Sequence, residues 1–179
     1  MGSEKQPGNS TQQMGRGMIY LAWILVLGLL TLFFGDILEQ QHNPNQNIEP
    51  VSGSQQLSQV VLQRNRAGHY VANGKINGEV VRFLLDTGAT NVAIPATLAR
   101  RLNLKKGREG VSRTANGDIT TYSTRLDSVD LGGLVQYGVR ATILPGMAGN
   151  EVLLGMSYLK HLELIQRGDE LMLRQPAGS

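Results

Sequence analysis

Three consecutive residues, Asp86, Thr87 and Gly88, have side chains and a position suited to catalysis, because they directly follow the apolar run 83–85. An ionisable carboxylate at the end of a buried apolar strand costs free energy unless a function uses it. Carboxylates in such positions serve as general acids or bases. Gly88 permits backbone angles and close approaches that other residues do not, and the Thr87 hydroxyl can hydrogen-bond to a nearby main chain. The segment is therefore a candidate catalytic loop.

The tripeptide by itself is also compatible with a plain turn. Asp, Thr and Gly are ordinary residues for a turn after a strand, and Asp-(Ser/Thr)-Gly occurs by chance in about one in twenty domains of this size. The context in the chain has to separate the two interpretations.

The composition favours a compact β domain around this loop. Aromatic residues make up 5% of the sequence, and 22 of its 179 residues are glycine. Asn77-Gly78 and Asn116-Gly117 separate β-prone runs and predict hairpin turns. Short helices are predicted over residues 95–102 and 156–161. Strands are predicted over residues 60–62, 69–72, 75–76, 79–85, 111–115, 118–122, 124–131, 135–144, 162–166 and 170–174.

Residues 18–35 carry no charge and predict a transmembrane anchor. As a helix they would span about 27 Å, close to the hydrocarbon thickness of a bilayer. Tyr20, Trp23 and Phe34 lie near the ends of the segment, where interfacial aromatic residues are common. The alternative is a cleaved signal peptide, but its apolar region would be shorter, and residues 33–38 make a poor cleavage site.

The regions that flank the apolar segment are polar. Residues 1–17 are predicted to be a disordered tail, and residues 36–58 a flexible linker that contains a solvated His42. Lys5 and Arg16 precede the segment, so the positive-inside rule places the N-terminus in the cytoplasm. In a Gram-negative cell this single-pass protein would lie in the inner membrane, with the domain of residues 59–179 in the periplasm.

Several other functions find no support in the sequence. There is no cysteine, which excludes disulfides, thiolate metal sites and a cysteine nucleophile. His69 and His161 are too scattered to predict a metal site, and Ser157 lacks the Gly-x-Ser-x-Gly motif of serine hydrolases. A cluster of five basic residues suggests a solvated helix end and loop, or else a site for an acidic partner. Without interleaved aromatic residues it offers single-stranded nucleic acid little to stack on. Its members are Arg100, Arg101, Lys105, Lys106 and Arg108.

Residues 83–90 resemble the active-site segment of retropepsin-like aspartic proteases at every position. Residues 152–155, Val-Leu-Leu-Gly, are similar to the second hallmark of that family, and the Asn116-Gly117 hairpin lies between the two, where the family has its flap. The resemblance covers about residues 60–176 and is nearest to the bacterial, membrane-anchored branch. Thr90, Met156 and Ser157 depart from the retroviral pattern, in regions tied to dimer contacts and substrate recognition.

The resemblance implies a mainly β, single-lobe acid protease barrel with one or two short helices, preceded by one transmembrane helix. It implies an endopeptidase that needs no metal or cofactor and uses two carboxylates to activate water. This chain has one Asp-Thr-Gly loop, so the second carboxylate is expected from Asp86 of another copy in a homodimer. Thr87, Gly88, Ala89, Asn116 and Gly117 are the expected loop and substrate-binding residues. The alternative is a catalytically inactive, membrane-tethered β domain that binds peptides or envelope proteins.

Overall fold

The computed structural model describes residues 10–48, 51–52, 58–114 and 117–176 of the chain. The chain divides into two units, Met1–Glu39 and Gln40–Ser179. The second unit contains every strand of the described residues.

Helix α1 (Ser10–His42) is long and apolar enough, over Arg16–His42, to cross a membrane. The helix extends beyond the predicted anchor at both ends. It includes residues 10–17, for which the sequence predicted disorder, and residues 36–42, which were predicted to be linker; residues 1–9 lie outside the described residues. Once a helix has nucleated, each added residue gains a backbone hydrogen bond, which explains why the helix runs on into its polar flanks.

Seven strands form the main sheet of the second unit, and six of them close into a barrel. They are β3 (Val71–Ile76), β4 (Glu79–Leu85), β5 (Val92–Pro95), β6 (Glu109–Thr114), β7 (Gly117–Leu131), β8 (Leu134–Leu144) and β9 (Glu151–Leu154). Their order is β3-β4-β9-β5-β8-β7-β6, and an additional pairing of β3 with β7 closes the ring. The predicted mainly β, single-lobe barrel is therefore confirmed.

The remaining elements are a second sheet and two short helices. The sheet has the order β1-β2-β11-β10, in which β1 is Val51–Ser52, β2 is Ser58–Gln63, β10 is Glu163–Arg167 and β11 is Glu170–Arg174. The helices are α2 (Ala96–Arg101) and α3 (Met156–Leu159), close to their predicted positions. Sequence reasoning did not predict β1, β5 or β9 as strands, because their two to four residues are too short for a periodic pattern.

The interior of the barrel is formed by apolar side chains that alternate along the strands. Phe83, Ile94, Leu126 and Leu154 are fully buried, and burial of each such side chain contributes about 1.5–3 kcal/mol. Tyr158 of α3 is also fully buried, and its hydroxyl donates a hydrogen bond of 2.5 Å to the carbonyl oxygen of Leu134. Burial raises the pKa of this hydroxyl well above its ordinary value. The short helix is thereby attached to the barrel.

Residues 42–48, here called the strap, pack against the β domain, in contrast to the predicted flexible linker. Asn43 and Asn45 are 0% and 7% exposed. The Asn45 amide donates hydrogen bonds of 2.9 and 2.7 Å to the carbonyl oxygens of Gln63 and Val71, and its oxygen accepts one of 2.7 Å from the Gln63 N–H. The polar residues of the strap suggest a solvated linker. In the structure, the Asn45 side chain instead forms hydrogen bonds with backbone groups of Gln63 and Val71.

Replacing Asn45 with alanine is expected to destabilise the β domain by about 3 kcal/mol, because three backbone groups of Gln63 and Val71 lose their partner. Urea unfolding of a fragment covering residues 40–179 would measure the loss. The matched control is Asn47→Ala in the same strap, whose side chain is exposed. Equal midpoints for the two variants would show that the strap does not contribute to the fold.

Candidate active site

Strands β4 and β9 run parallel, which places the two sequence hallmarks side by side. Leu84 pairs with Leu153 and Leu85 with Leu154, so that Asp86 and Gly155 leave the sheet at the same edge. Each strand ends in a short apolar run, residues 83–85 and 152–154, as expected for strands in the middle of a sheet. The register of this one strand pair therefore brings together residues that are almost 70 positions apart in the sequence.

The loop at Asp86 holds its carboxylate through the backbone. Asp86 Oδ1 accepts a hydrogen bond of 2.9 Å from the Gly88 N–H, and the Asp86 carbonyl accepts one of 3.2 Å from the Ala89 N–H. The Asp86 N–H in turn donates to the Leu154 carbonyl at 3.2 Å. Asp86 is half-buried and Thr87 is exposed. The carboxylate is thus oriented by its own loop while remaining accessible.

Gly155 is the point at which the Asp86 loop rests on the junction between β9 and α3. An added Cβ atom at Gly155 would lie 2.4 Å from the Asn91 carbonyl oxygen and 2.6 Å from that of Ala89. The N–H groups of the next two residues, Met156 and Ser157, donate to the loop carbonyls of Ala89 and Thr90 at 2.8 and 2.9 Å. The glycine of the second hallmark therefore allows two backbones to come into contact.

Ser157, where the chain departs from the retroviral pattern, has a structural role in this arrangement. Its buried hydroxyl donates to the Arg140 carbonyl at 2.7 Å and accepts from the Val92 N–H at 3.0 Å. It links α3 to β5 and β8, which flank the loop. Both hydroxyl hydrogen bonds go to backbone groups, and no catalytic triad geometry is associated with it.

The predicted flap is present as a hairpin of β6 and β7. The two strands pair antiparallel from Glu109 and Tyr122 to Thr114 and Gly117. Gly117 has a φ of 104°, which suits glycine at a tight turn, whereas Asn116 lies outside the described residues. The role of this hairpin in covering a substrate remains a prediction.

A cavity of about 600 Å³ is lined by residues of β4 and β9, the two strands that lead to Asp86 and Gly155. Side chains alternate along a strand, so Arg82 and Leu84 of β4 point to one side, while Phe83 points to the other, into the core. The parallel register places Glu151 and Leu153 next to them. The remaining lining residues are His42, Asn73, Val80, Val81, Arg101, Met147, Ala148, Gly149 and Asn150.

Sequence reasoning did not identify the charged side chains of this cavity. Glu151 Oε1 lies 2.5 Å from His42 Nε2 and 3.8 Å from Arg82 Nη1. The alternation of side chains along β4 could have indicated that Arg82 and Leu84 share one face of the strand. No comparable signal exists for His42, which comes from the strap.

Of the basic cluster from the sequence, Arg101 lines this cavity, and the other candidates are not among its lining residues. His69 and His161 are exposed, and among the residues that the structure describes no group of three or more histidine, aspartate or glutamate side chains could hold a metal ion. Lys105 and Lys106 border a different cavity of about 630 Å³, where the Lys106 ammonium lies 4.8 Å from the centre of the Tyr122 ring.

A family model described as "gag-polyprotein putative aspartyl protease" matches residues 72–161. The chain belongs to this aspartyl protease family. The matched range extends from β3 to the residues just after α3, and it includes the Asp86 loop, the β6–β7 hairpin and Gly155. It does not include the strap.

Two bacterial relatives of the chain are themselves uncharacterized proteins. One, from the cobV 5′ region of a Sinorhizobium species, is 31% identical over 128 residues, which are 69% of this chain and 55% of the relative. The other, RP867 of Rickettsia prowazekii (strain Madrid E), is 25% identical over 124 residues, which are 67% of this chain and 52% of the relative. The chain therefore spans about half the length of these curated relatives.

Two solved structures are similar to this chain. A retropepsin-like aspartic protease from Rickettsia conorii is 29% identical, with a TM-score of 0.57 over 66% of this chain and 92% of that one. The EIAV protease complexed with the inhibitor HBY-793 is 22% identical, with a TM-score of 0.45 over 55% of this chain and 92% of that one. The fold of this family member is retropepsin-like.

Proposed function

We propose that this family member is a membrane-anchored aspartic endopeptidase whose active site combines Asp86 from two subunits of a homodimer. The observation that carries the proposal is the Asp86 loop itself. Its carboxylate is oriented by the Gly88 N–H and stands at the edge of two parallel strands, whose residues also line a cavity. A plain turn would not need a half-buried, accessible carboxylate in that position.

The proposed chemistry needs one ionised and one protonated carboxyl group. The ionised Asp86 takes a proton from a water molecule, whose oxygen attacks the carbonyl carbon of the peptide bond. The protonated Asp86 of the partner subunit gives its proton to the carbonyl oxygen. The tetrahedral intermediate collapses when the amide nitrogen takes up a proton and the C–N bond breaks. Two carboxyl groups about 3 Å apart cannot both ionise, so they share one proton.

A second copy of the chain is the expected source of the second carboxyl group. The other aspartates are not followed by (Ser/Thr)-Gly; they are Asp36, Asp118, Asp127, Asp130 and Asp169. A two-fold axis near Asp86 would bring the two loops together. The exposed Thr87 hydroxyl has no hydrogen bond within the described part of one chain, and it is free to bond to the loop of the partner.

The apolar helix fits this proposal as a retained anchor over residues 18–35. With the N-terminus in the cytoplasm, the protease domain would face the periplasm from the inner membrane. Two copies held in one membrane meet at a higher effective concentration, which favours the dimer. The substrate would be an extended peptide or an exposed protein segment, bound against Ala89 and covered by the hairpin at Asn116 and Gly117.

Mixing wild-type chains with Asp86→Asn chains tests the shared site. If the two are co-expressed with a threefold excess of the variant, random pairing leaves about one sixteenth of the dimers with two wild-type chains. Peptide-library cleavage per total chain should fall to about that fraction. A threefold excess of Asp127→Asn chains, which keep Asp86, is the control and should leave the activity unchanged.

A fall to only about one quarter would mean that each chain acts alone, and it would contradict the dimeric site. A wild-type protein that binds the peptides but cleaves none of them would instead be a membrane-tethered binding domain.

A further inference from the structure

The charged end of the cavity lined by β4 and β9 is built from three chain segments. Arg82 belongs to β4, Glu151 to β9, and His42 to the strap, outside the range that the family model matches. The Glu151 carboxylate is contacted by both neighbours, at 2.5 Å from His42 Nε2 and 3.8 Å from Arg82 Nη1. Glu151 is 27% exposed, so it faces the cavity but is not fully solvated.

The strap holds His42 in this place. The His42 carbonyl accepts a hydrogen bond of 2.9 Å from the Asn65 amide, and the next residue, Asn43, donates one of 2.9 Å to Asn73. Asn43 and Asn65 are both buried. The backbone on which His42 stands is therefore part of the β domain.

The cavity has an apolar part and a polar end with a surplus of positive charge. Leu84, Leu153 and Met147 supply the apolar part. The polar end contains one acidic lining residue, Glu151, which lies 3.8 Å from Arg82, and two cationic ones, Arg82 and Arg101. A peptide side chain with an apolar stem and a neutral or acidic head fits this cavity better than lysine or arginine does.

Strand β4 connects the polar end to the proposed catalytic loop. Arg82 lies on β4 and precedes Asp86 by four residues, which corresponds to about 13 Å at the rise of a strand. Four residues of an extended substrate span the same distance. A side chain within four residues of the scissile bond can therefore enter the polar end.

We propose that His42, Arg82 and Glu151 form an end of the substrate cleft that determines specificity. Because His42 pairs with the Glu151 carboxylate, this carboxylate does not attract basic side chains of the substrate. This inference rests on the proposed protease function. The segment that follows the apolar helix in sequence thereby becomes part of the substrate site. His42 acts on binding preference and takes no part in the proton transfers.

The test is a double-mutant cycle on the full-length protein in detergent micelles. Peptide libraries carry Lys, Glu, Gln or Leu at each of the four positions on either side of the cleaved bond. His42→Ala should raise kcat/KM for peptides with lysine at the affected position, relative to glutamine, by about fivefold, the size expected for an exposed charge pair. In a Glu151→Gln background the same change should have no effect on this ratio. His161→Ala, an exposed histidine elsewhere, is the matched control.

The lysine-to-glutamine ratio separates a specificity role from a structural one. A uniform loss of kcat/KM for all peptides after His42→Ala would overturn the proposal, because a damaged fold lowers kcat/KM for every substrate alike. An unchanged ratio would overturn it as well.

Failure of the proposed function can be told apart from failure of this inference. If the wild-type protein cleaves no peptide, the protease function fails, and fluorescence anisotropy of the same labelled peptides then tests the cleft. Tighter binding of lysine peptides to His42→Ala, lost in the Glu151→Gln background, would support the inference. Binding that His42→Ala does not change would reject it.

Discussion

Replacing Asp86 with asparagine is expected to lower kcat/KM for peptide cleavage by about a thousandfold or more. In a symmetric dimer the change removes both carboxyl groups, so neither the general base nor the general acid is left. Asparagine keeps the shape of the side chain and an oxygen that can accept the 2.9 Å hydrogen bond from the Gly88 N–H. The loop should therefore remain in place, and the loss should appear in catalysis and not in folding.

The matched control for this change is Asp127→Asn, which makes the same substitution at an exposed position of β7. Cleavage of a quenched-fluorescence peptide would be followed for both variants, together with their urea unfolding midpoints. Activity of Asp86→Asn within a factor of ten of the wild type, at equal stability, would remove Asp86 from the mechanism. An equal loss of activity in both variants would show that the loss is not specific to Asp86.

Replacing Gly155 with alanine is expected to destabilise the domain by about 3 kcal/mol or more and to abolish cleavage as well. The new methyl group would lie 2.4 and 2.6 Å from two carbonyl oxygens, and neither backbone can rotate away as a flexible side chain can. One of those carbonyls, that of Ala89, accepts the hydrogen bond from the Met156 N–H. Relief of the clash must therefore move the Asp86 loop, which combines overpacking with loss of a buried hydrogen bond.

Gly146→Ala is the matched control, because an added methyl group there meets no atom within 4 Å. Its free energy of unfolding should change by about 0.5 kcal/mol or less. Chemical denaturation measures both variants, and peptide cleavage reports on the site. A Gly155→Ala protein with the midpoint of the wild type would show that the loop and the β9–α3 junction are not in contact.

The strap affects where a fragment of this family member without the apolar helix should begin. A fragment that begins at residue 59 includes all of the family range but lacks Asn43 and Asn45, which are buried in the β domain. A fragment that begins at Gln40 keeps both, and it keeps His42 as well. Differences between two such fragments would measure what the strap contributes to the whole domain.

The order of the chemical signals along the chain was sufficient to predict the family and the fold. These signals are local patterns, each of which depends on residues that are adjacent in sequence. They are a carboxylate after an apolar run, a turn with glycine, a hairpin, and a second apolar run that ends in glycine. The apolar segment near the N-terminus is likewise a matter of composition, because transfer to a bilayer depends on the summed side chains. The mainly β barrel and the family assignment are confirmed on this basis.

Other features were decided only in the tertiary structure. Asn43 and Asn45 look solvated in sequence, and only their tertiary hydrogen bonds show why they are buried. Asn45 bonds to backbone groups of Gln63 and Val71, and Asn43 to the side chain of Asn73. The contact between His42 and Glu151 joins positions that are 109 residues apart, and no local pattern encodes it. Hydrogen-bond partners and strand registers are long-range choices, settled when the whole barrel closes. The Asp86 loop could thus be found from the sequence, whereas the cleft beside it required the fold.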